Sequence, residues 1–508
     1  MNKIVLFLAA IIAVGEAYAQ TPEDALRASW FVPNGTARNM AIGGVMGSLG
    51  GDITANYANP AGLGLYKTKE FVLSPGFILN NNKLSYRGAD TNTNKDVFAY
   101  GPTGFVLGKA YHPSHKFKSS AFSIAVAQLA SYNNRISFSG RNNTSSASEQ
   151  YLEELTRDRA DTNAALSNYI FGSSLAFRTY LIDKDEVNGQ FVGYKSLVPL
   201  NANILQQYDA ITRGGYHEVA VGFANNLEDK LYLGGSFNFP IINYRRELTY
   251  TERDVSGNTN NDFNYSTFKE SFTSNGIGVN GRFGVIYKPK EFIRLGLALH
   301  TPSLISYRDQ ISSSMTTDTE GYAGVQTESS SNLNSGNKGS REYSMVSPWR
   351  AIASASYVFR EVENTKKQRA FISADVELVN YRGARYYSVV DEEYSTDYYT
   401  EVNNSIKEIY KPNLNFKLGG ELKFDPWMFR LGGAYYGSPY KSKDLKADRI
   451  IASGGIGYRN HGIFIDVTYS HSFSRDVQFP YVLNDKPNTF AQLNNNRGGV
   501  MMTLGFKL

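Results

Sequence analysis

The chain closes on Val500-Met-Met-Thr-Leu-Gly-Phe-Lys-Leu508. Val500, Met502, Leu504, Phe506 and Leu508 are apolar, and Met501, Thr503, Gly505 and Lys507 lie between them. Successive side chains of a strand point to opposite faces, so one face here is greasy and the other mostly polar. An apolar strand edge exposed to water aggregates. A strand that closes a barrel in a membrane has no such edge. The last strand of a soluble β-sandwich would alternate in the same way, so the rest of the chain must separate the two.

The same alternation recurs along most of the sequence. Clear runs are Ile277-x-Val279-x-Gly281-x-Phe283-x-Val285-x-Tyr287, Leu414-x-Phe416-x-Leu418-x-Gly420-x-Leu422-x-Phe424 and Ile463-x-Ile465-x-Val467-x-Tyr469. About fourteen such segments begin near residues 68, 95, 117, 214, 230, 266, 292, 339, 369, 408, 427, 445, 462 and 496. The connections between them alternate in length. His112 to Lys116, Asn225 to Lys230, Lys288 to Glu291, Arg360 to Arg369, Asp425-Pro426 and Arg459 to Gly462 are short. The others are longer and rich in Asn, Ser, Asp and Tyr, including 139–213, 308–341 and 383–410. Short turns at one end and long loops at the other belong to an outer-membrane barrel; a sandwich has no reason for them. In 139–213, Tyr151 to Ala165 reads as helical, and the whole connection is expected to fold on the barrel mouth or into the lumen.

Composition agrees. Lys3, the apolar run Ile4 to Val14 and the Ala17-Tyr18-Ala19 cleavage pattern predict a signal peptide over 1–19. With Cys 0, the sequence has no disulfide, thiolate metal site or catalytic thiol. A mean hydropathy of −0.36 would fit a soluble protein, but only one face of each barrel strand meets lipid. The net charge of +5 carries no concentrated basic patch, which argues against nucleic acid.

Residues 20–67 do not read as strand. Thr21-Pro22-Glu23-Asp24 is a helix start. A glycine-rich stretch follows from Gly35 to Asp52, with Met40, Ile42, Val45, Met46 and Leu49 embedded in it. Small residues at that density permit close packing, so the segment is expected to plug the lumen as a hatch ahead of a barrel over 68–508.

Within it, Asn59-Pro60-Ala61-Gly62-Leu63 carries a resemblance. Together with Gly35-Thr36-Ala37-Arg38, Gly43-Gly44 and Gly50-Gly51-Asp52, it resembles the FadL/TodX family of outer-membrane transporters for long-chain fatty acids, toluene and other hydrophobic compounds. Ile286-Tyr287-Lys288-Pro289, Arg294-Leu-Gly-Leu-Ala298 and Arg430-Leu-Gly-Gly-Ala-Tyr435 echo it further along. The resemblance implies a fourteen-stranded barrel with Arg38, Gly43, Gly44, Gly50, Gly51, Asp52, Asn59, Pro60 and Ala61 in the hatch. It implies passive uptake: capture by outer loops, hatch movement and lateral exit beside the third strand. The long 139–213 connection and the terminal Leu508 depart from its fatty-acid members. The style is that of the Bacteroidetes branch of Gram-negative bacteria, where some relatives are subunits of protein-secretion complexes. A scaffold of that kind is the alternative function.

Alternation places Arg294, Asp375, Glu377, Lys417, Glu421, Arg430 and Asp466 in the lumen, because Arg or Lys facing lipid at mid-bilayer costs ~2–4 kcal/mol. They are expected to form ion pairs that hold the hatch, with Arg294 or Arg430 the alternative handle for a ligand carboxylate. Arg38 and Asp52 are expected to pair with wall charges. Tyr381, Tyr386, Tyr387, Tyr394, Tyr398, Tyr399 and Tyr410 sit among Asp391, Glu392, Glu393 and Asp397 in what reads as a solvated loop without calcium-ligand spacing. Gly104 to Lys109 is too short for a phosphate loop, and His112 and His115 lack further metal ligands. No catalytic residue, metal or cofactor is expected; the expected partners are membrane lipid, a hydrophobic ligand and envelope proteins.

Overall fold

The computed structural model describes residues 22–359, 369–389, 393–442 and 447–508. The expected signal peptide lies outside them. Fourteen antiparallel staves close into a barrel. In chain order the first are β1 (Lys69–Leu73 with Pro75–Tyr86), β2 (Ala89–Tyr100 with Thr103–Ala110) and β3 (Phe117–Ser131 with Asn134–Asn142). Next come β4 (Ile204–Leu227), β5 (Leu231–Arg253), β6 (Tyr265–Lys290) and β7 (Ile293–His300 with Leu304–Asp318). β8 (Gly339–Val346 with Arg350–Phe359), β9 (Ala370–Asn380 with Arg385–Ser388), β10 (Pro412–Phe424) and β11 (Trp427–Tyr436) follow. The wall ends with β12 (Arg449–Asn460), β13 (Ile463–Gln478) and β14 (Ala491–Lys507). β14 closes the ring on β1, Phe506 opposite Phe71 and Val500 opposite Phe77.

The outward face is an apolar belt. Ile277, Leu297 and Leu431 are 63%, 64% and 75% exposed, and Phe98, Phe105, Phe237, Phe283, Phe416 and Val467 stand with them. An exposed apolar surface running round the wall is stable only against lipid. Inward positions mix small, polar and charged residues with buried apolar ones such as Val106, Ile286, Val358 and Phe371.

Several staves outrun the belt. On the outer face of β5, Leu233, Phe237, Phe239 and Ile241 give way to Asn243, Arg245 and Glu247, yet the ladder with β6 continues to Arg253. The connections are therefore shorter than hydrophobic alternation implies. The 139–213 connection spans only 143–203, because β3 runs to Asn142 and β4 begins at Ile204. The 308–341 loop starts after Asp318, and 383–410 contains the last part of β9. Above the lipid the outward face of a stave turns polar, so the apolar marker of the period-2 signal is lost while the hydrogen-bond ladder persists.

Before the barrel lie α1 (Pro22–Arg27) and α2 (Ala37–Ala41), then two 3-10 turns, Ile53–Tyr57 and Pro60–Leu65. The 143–203 insertion holds α3 (Ser148–Arg157), α4 (Thr162–Ser167), α5 (Ser173–Arg178) and a hairpin, Ile182–Val187 with Gln190–Ser196. Leu155, Leu175, Phe177 and Ile182 form its core with Phe263 and Met315 from neighbouring outer segments. The β7–β8 connection contains α6 (Ser330–Leu333), and α7 (Glu393–Ile409) precedes β10. The tyrosine-rich stretch is not a solvated loop. Tyr398, Tyr399, Val402, Ile406 and Tyr410 are buried against Tyr307, Tyr343 and Tyr386, because α7 turns one face onto the barrel rim. Asp391 and Glu392 lie outside the described residues.

Candidate functional site: hatch, lumenal cavity and seam

The hatch is built from short capped turns. Thr36 caps α2 by accepting from Asn39 N, and Asp52 and Asn59 cap the two 3-10 turns through Thr54 N and Ala61 N. Pro60 occupies the first turn, where its missing N–H costs nothing. Asn59 Nδ2 points at Gly47 O inside the hatch (2.5 Å) and at the wall carbonyls of Val285 (3.2 Å) and Leu297 (3.3 Å). One amide thus ties the motif to β6 and β7. Gly43, Gly44, Gly50 and Gly51 all have positive φ, between 66° and 78°. At Gly432 of β11 an added Cβ would lie 2.1 Å from Gly43 N, so wall and hatch touch backbone to backbone there.

All seven expected lumenal charges lie on the inner side, and ion pairs join five of them into two networks. Arg430 bridges Glu421 (2.6 Å) and Asp466 (2.5 Å), and Glu421 also accepts from Arg38 of the hatch at 3.4 Å. Glu377 bridges Lys417 (3.0 Å) and Arg350 (3.5 Å). Beside it Asp375 accepts from Met46 N and Gly47 N at 2.9 and 3.0 Å. Arg294 donates instead to Leu49 O, at 3.3 Å. Asp52 accepts hydrogen bonds from Thr36 Oγ1 and Thr54 N, both within the hatch. As the residue just before the 3-10 turn Ile53–Tyr57, it caps that turn with its own carboxylate.

Two contacts escaped the sequence reading. Ser48 bonds Ser354 at 2.7 Å, and wholly buried Glu218 pairs with Arg282 at 2.6 Å beside Tyr57. Arg282 occupies an intervening position of the run 277–287, where alternation alone points it inward. Serine carries no comparable signal.

Outside the hatch lies a cavity of about 1320 Å³. Trp30, Phe31, Val32, Met40, Gly43 and Gly44 line it from the hatch, and Tyr151, Tyr169 and Phe171 from the insertion. Tyr208, Tyr244, Leu248 and Phe268 form one side, and Arg449, Ile451 and Arg497 another. Arg27 lies 3.7 Å over the Tyr244 ring and Arg449 4.5 Å over Trp30, so the aromatic faces hold cations at the rim.

The cavity reaches Phe77, Ile78, Asn80, Asn133 and Asn134, where the wall is discontinuous. The lower part of β2 pairs with β3 from Thr103 to Ala110. Above it, the described residues show no ladder between Ala89–Tyr100 and Asn134–Asn142. β3 breaks between Ser131 and Asn134, and its upper part runs along the lumenal side of β1. There Asn80 and Asn82 donate to Asn133 O and Arg135 O, and Tyr86 packs on Phe138. β2 reaches across by side chains only, Thr93 Oγ1 to Arg135 O at 2.7 Å and Lys95 Nζ to Thr212 O at 2.9 Å.

These features define a membrane β-barrel of fourteen staves, plugged by its own amino-terminal segment and seamed beside the third. No protein-family model and no curated protein matches the sequence. Solved structures do. A Pseudomonas aeruginosa FadL homologue is similar at 13% identity and a TM-score of 0.54, over 94% of this chain and 99% of that one. The toluene transporter TbuX of Ralstonia pickettii is similar at 14% identity and a TM-score of 0.51, over 94% and 100%. The P. putida toluene transporter TodX gives 12%, 0.51, 94% and 99%. At these identities the likeness is one of fold, and the fold is that of the FadL/TodX hydrophobic-compound transporters.

Proposed function

We propose that this chain is a passive transporter of hydrophobic compounds in the outer membrane of a Gram-negative cell. The observation that carries the reading is the cavity: about 1320 Å³, rich in aromatic side chains, bounded by the hatch and continuous with the seam. Concave apolar sites with a few polar groups are the usual seats of small molecules. A ligand desolvated among the outer helices would rest in this cavity. It would leave either through the seam or past the hatch once the Arg38–Glu421 and Asp375 contacts part. The structural neighbours named as toluene transporters make a small neutral aromatic the first compound to test. Uptake of radiolabelled toluene should rise in cells lacking their own transporters when this chain is expressed. Uptake equal to the empty-vector control would sink the proposal.

A second reading, a scaffold in a secretion complex, draws on the hairpin tip, where Val187, Phe191 and Val192 are exposed. Stoichiometric partners retained through mild-detergent purification would favour it.

A further inference from the structure

Four consecutive staves each place one cation beside the seam, above the apolar belt. Arg213 of β4 stands directly opposite Arg245 of β5. Arg135 of β3 stands opposite Ile211, one same-face position from Arg213. Lys95 of β2 crosses the seam to Thr212 O. Like charges opposed across a ladder destabilise it unless something compensates them. Compensation within the protein is partial. Asp209 meets Arg135 at 2.9 Å and Glu247 meets Arg245 at 2.5 Å, both half-exposed pairs of small worth. Arg213 is exposed and has no carboxylate within ion-pair distance among the described residues, and the nitrogen of Lys95 is held by backbone carbonyls. Below them, past Asn243, the outward face turns apolar at Ile241 and Phe239 of β5, with Val126 and then Ile124 of β3 lower on the wall.

Cations over an apolar face match an amphiphile whose head is an anion and whose tails lie in the bilayer. Guanidinium groups on adjacent strands suit phosphate oxygens, which accept paired N–H donors. We propose that Lys95, Arg135, Arg213 and Arg245 bind the phosphate of a glycolipid headgroup in the outer leaflet, with its acyl chains against the belt beside the seam. The assignment needs only the long-loop end of the barrel to face outward; it does not depend on what the cavity carries.

The test is native mass spectrometry of the full chain in detergent micelles, titrated with diphosphoryl lipid A and with the same lipid after removal of its phosphates. The protein should bind the phosphorylated lipid at least about tenfold more tightly, and R213Q/R245Q should lose that preference. Heat-dependent migration on gels establishes that the variant is folded; if it is not, R213Q alone is read in its place. Equal binding of the two lipids, or undiminished preference in the folded variant, overturns the site. Inorganic phosphate equimolar with the lipid should not displace it; displacement would overturn the lipid assignment in favour of a free-anion site.

Discussion

Arg430 shows what the lumen asks of a single side chain. It is fully buried and reaches two carboxylates, one of which also holds Arg38 of the hatch. Removing one member of such a group strands buried charge, at a cost of about 3–5 kcal/mol. R430A should therefore lower the urea-unfolding free energy of the micelle-bound barrel by that amount; a change near zero would mean that water already screens the network. Gly432 makes a different point. A methyl group there collides with backbone at Gly43, and neither side can yield without moving the hatch. G432A should raise ion conductance in planar bilayers while leaving the barrel heat-modifiable, and unaltered conductance would mean the hatch absorbs the clash. The inward charges were readable from the sequence because period-2 alternation assigns a face and lipid excludes charge. What alternation cannot assign is a partner: Asp52, placed in the hatch by its glycine-rich setting, proves to cap the turn that follows it.

Among the elements, the hatch gives the simplest test. Deleting residues 22–66 should convert a closed barrel into an ion-conducting one, and a deleted form that stays closed would place the block in the outer helices. The insertion is sensitive to pH through α3. Glu154 accepts a hydrogen bond from Ser173 of α5, and burial, the larger influence, raises its pKa above the ordinary glutamate value. A carboxyl raised in the folded state stabilises that state fully below its unfolded pKa, and this contribution is lost as pH climbs through the folded value. Proteolysis within 143–203 should therefore quicken as pH rises from the ordinary glutamate range, and E154Q should flatten the profile. A profile in the variant identical to that of the parent would remove Glu154 from the account. Helical spacing puts Tyr151, Leu152 and Leu155 on one side of α3; Tyr151 and Leu155 are buried and Leu152 is partly buried. The burial of Tyr398 and Tyr399 was hidden, because acids on the opposite face of α7 gave the whole stretch a polar look.

For the molecule as a whole, the short turns at one end were legible wherever the residues are described (360–368 lie outside them), and the height at the other was not. Hydropathy reports where lipid is, and it falls silent where β4, β5 and β6 continue as polar wall for 24, 23 and 26 residues in all. β10, β11 and β12 have only 13, 10 and 12. If the hairpin 182–196 crowns the tall side, protease added to intact cells should cut there first; cleavage confined to broken cells would contradict the outward orientation. The unequal staves also give the barrel a compass. Seen from the long-loop end, one half of the rim is a high polar palisade and the other a low sill, so the mouth is hooded and is not equally open from every bearing. A neighbour in a crowded membrane that abuts the sill would shade the entrance, whereas one against the palisade would leave it open. If the chain transports as proposed, lateral arrangement in the membrane would thus tune uptake without any change within the barrel.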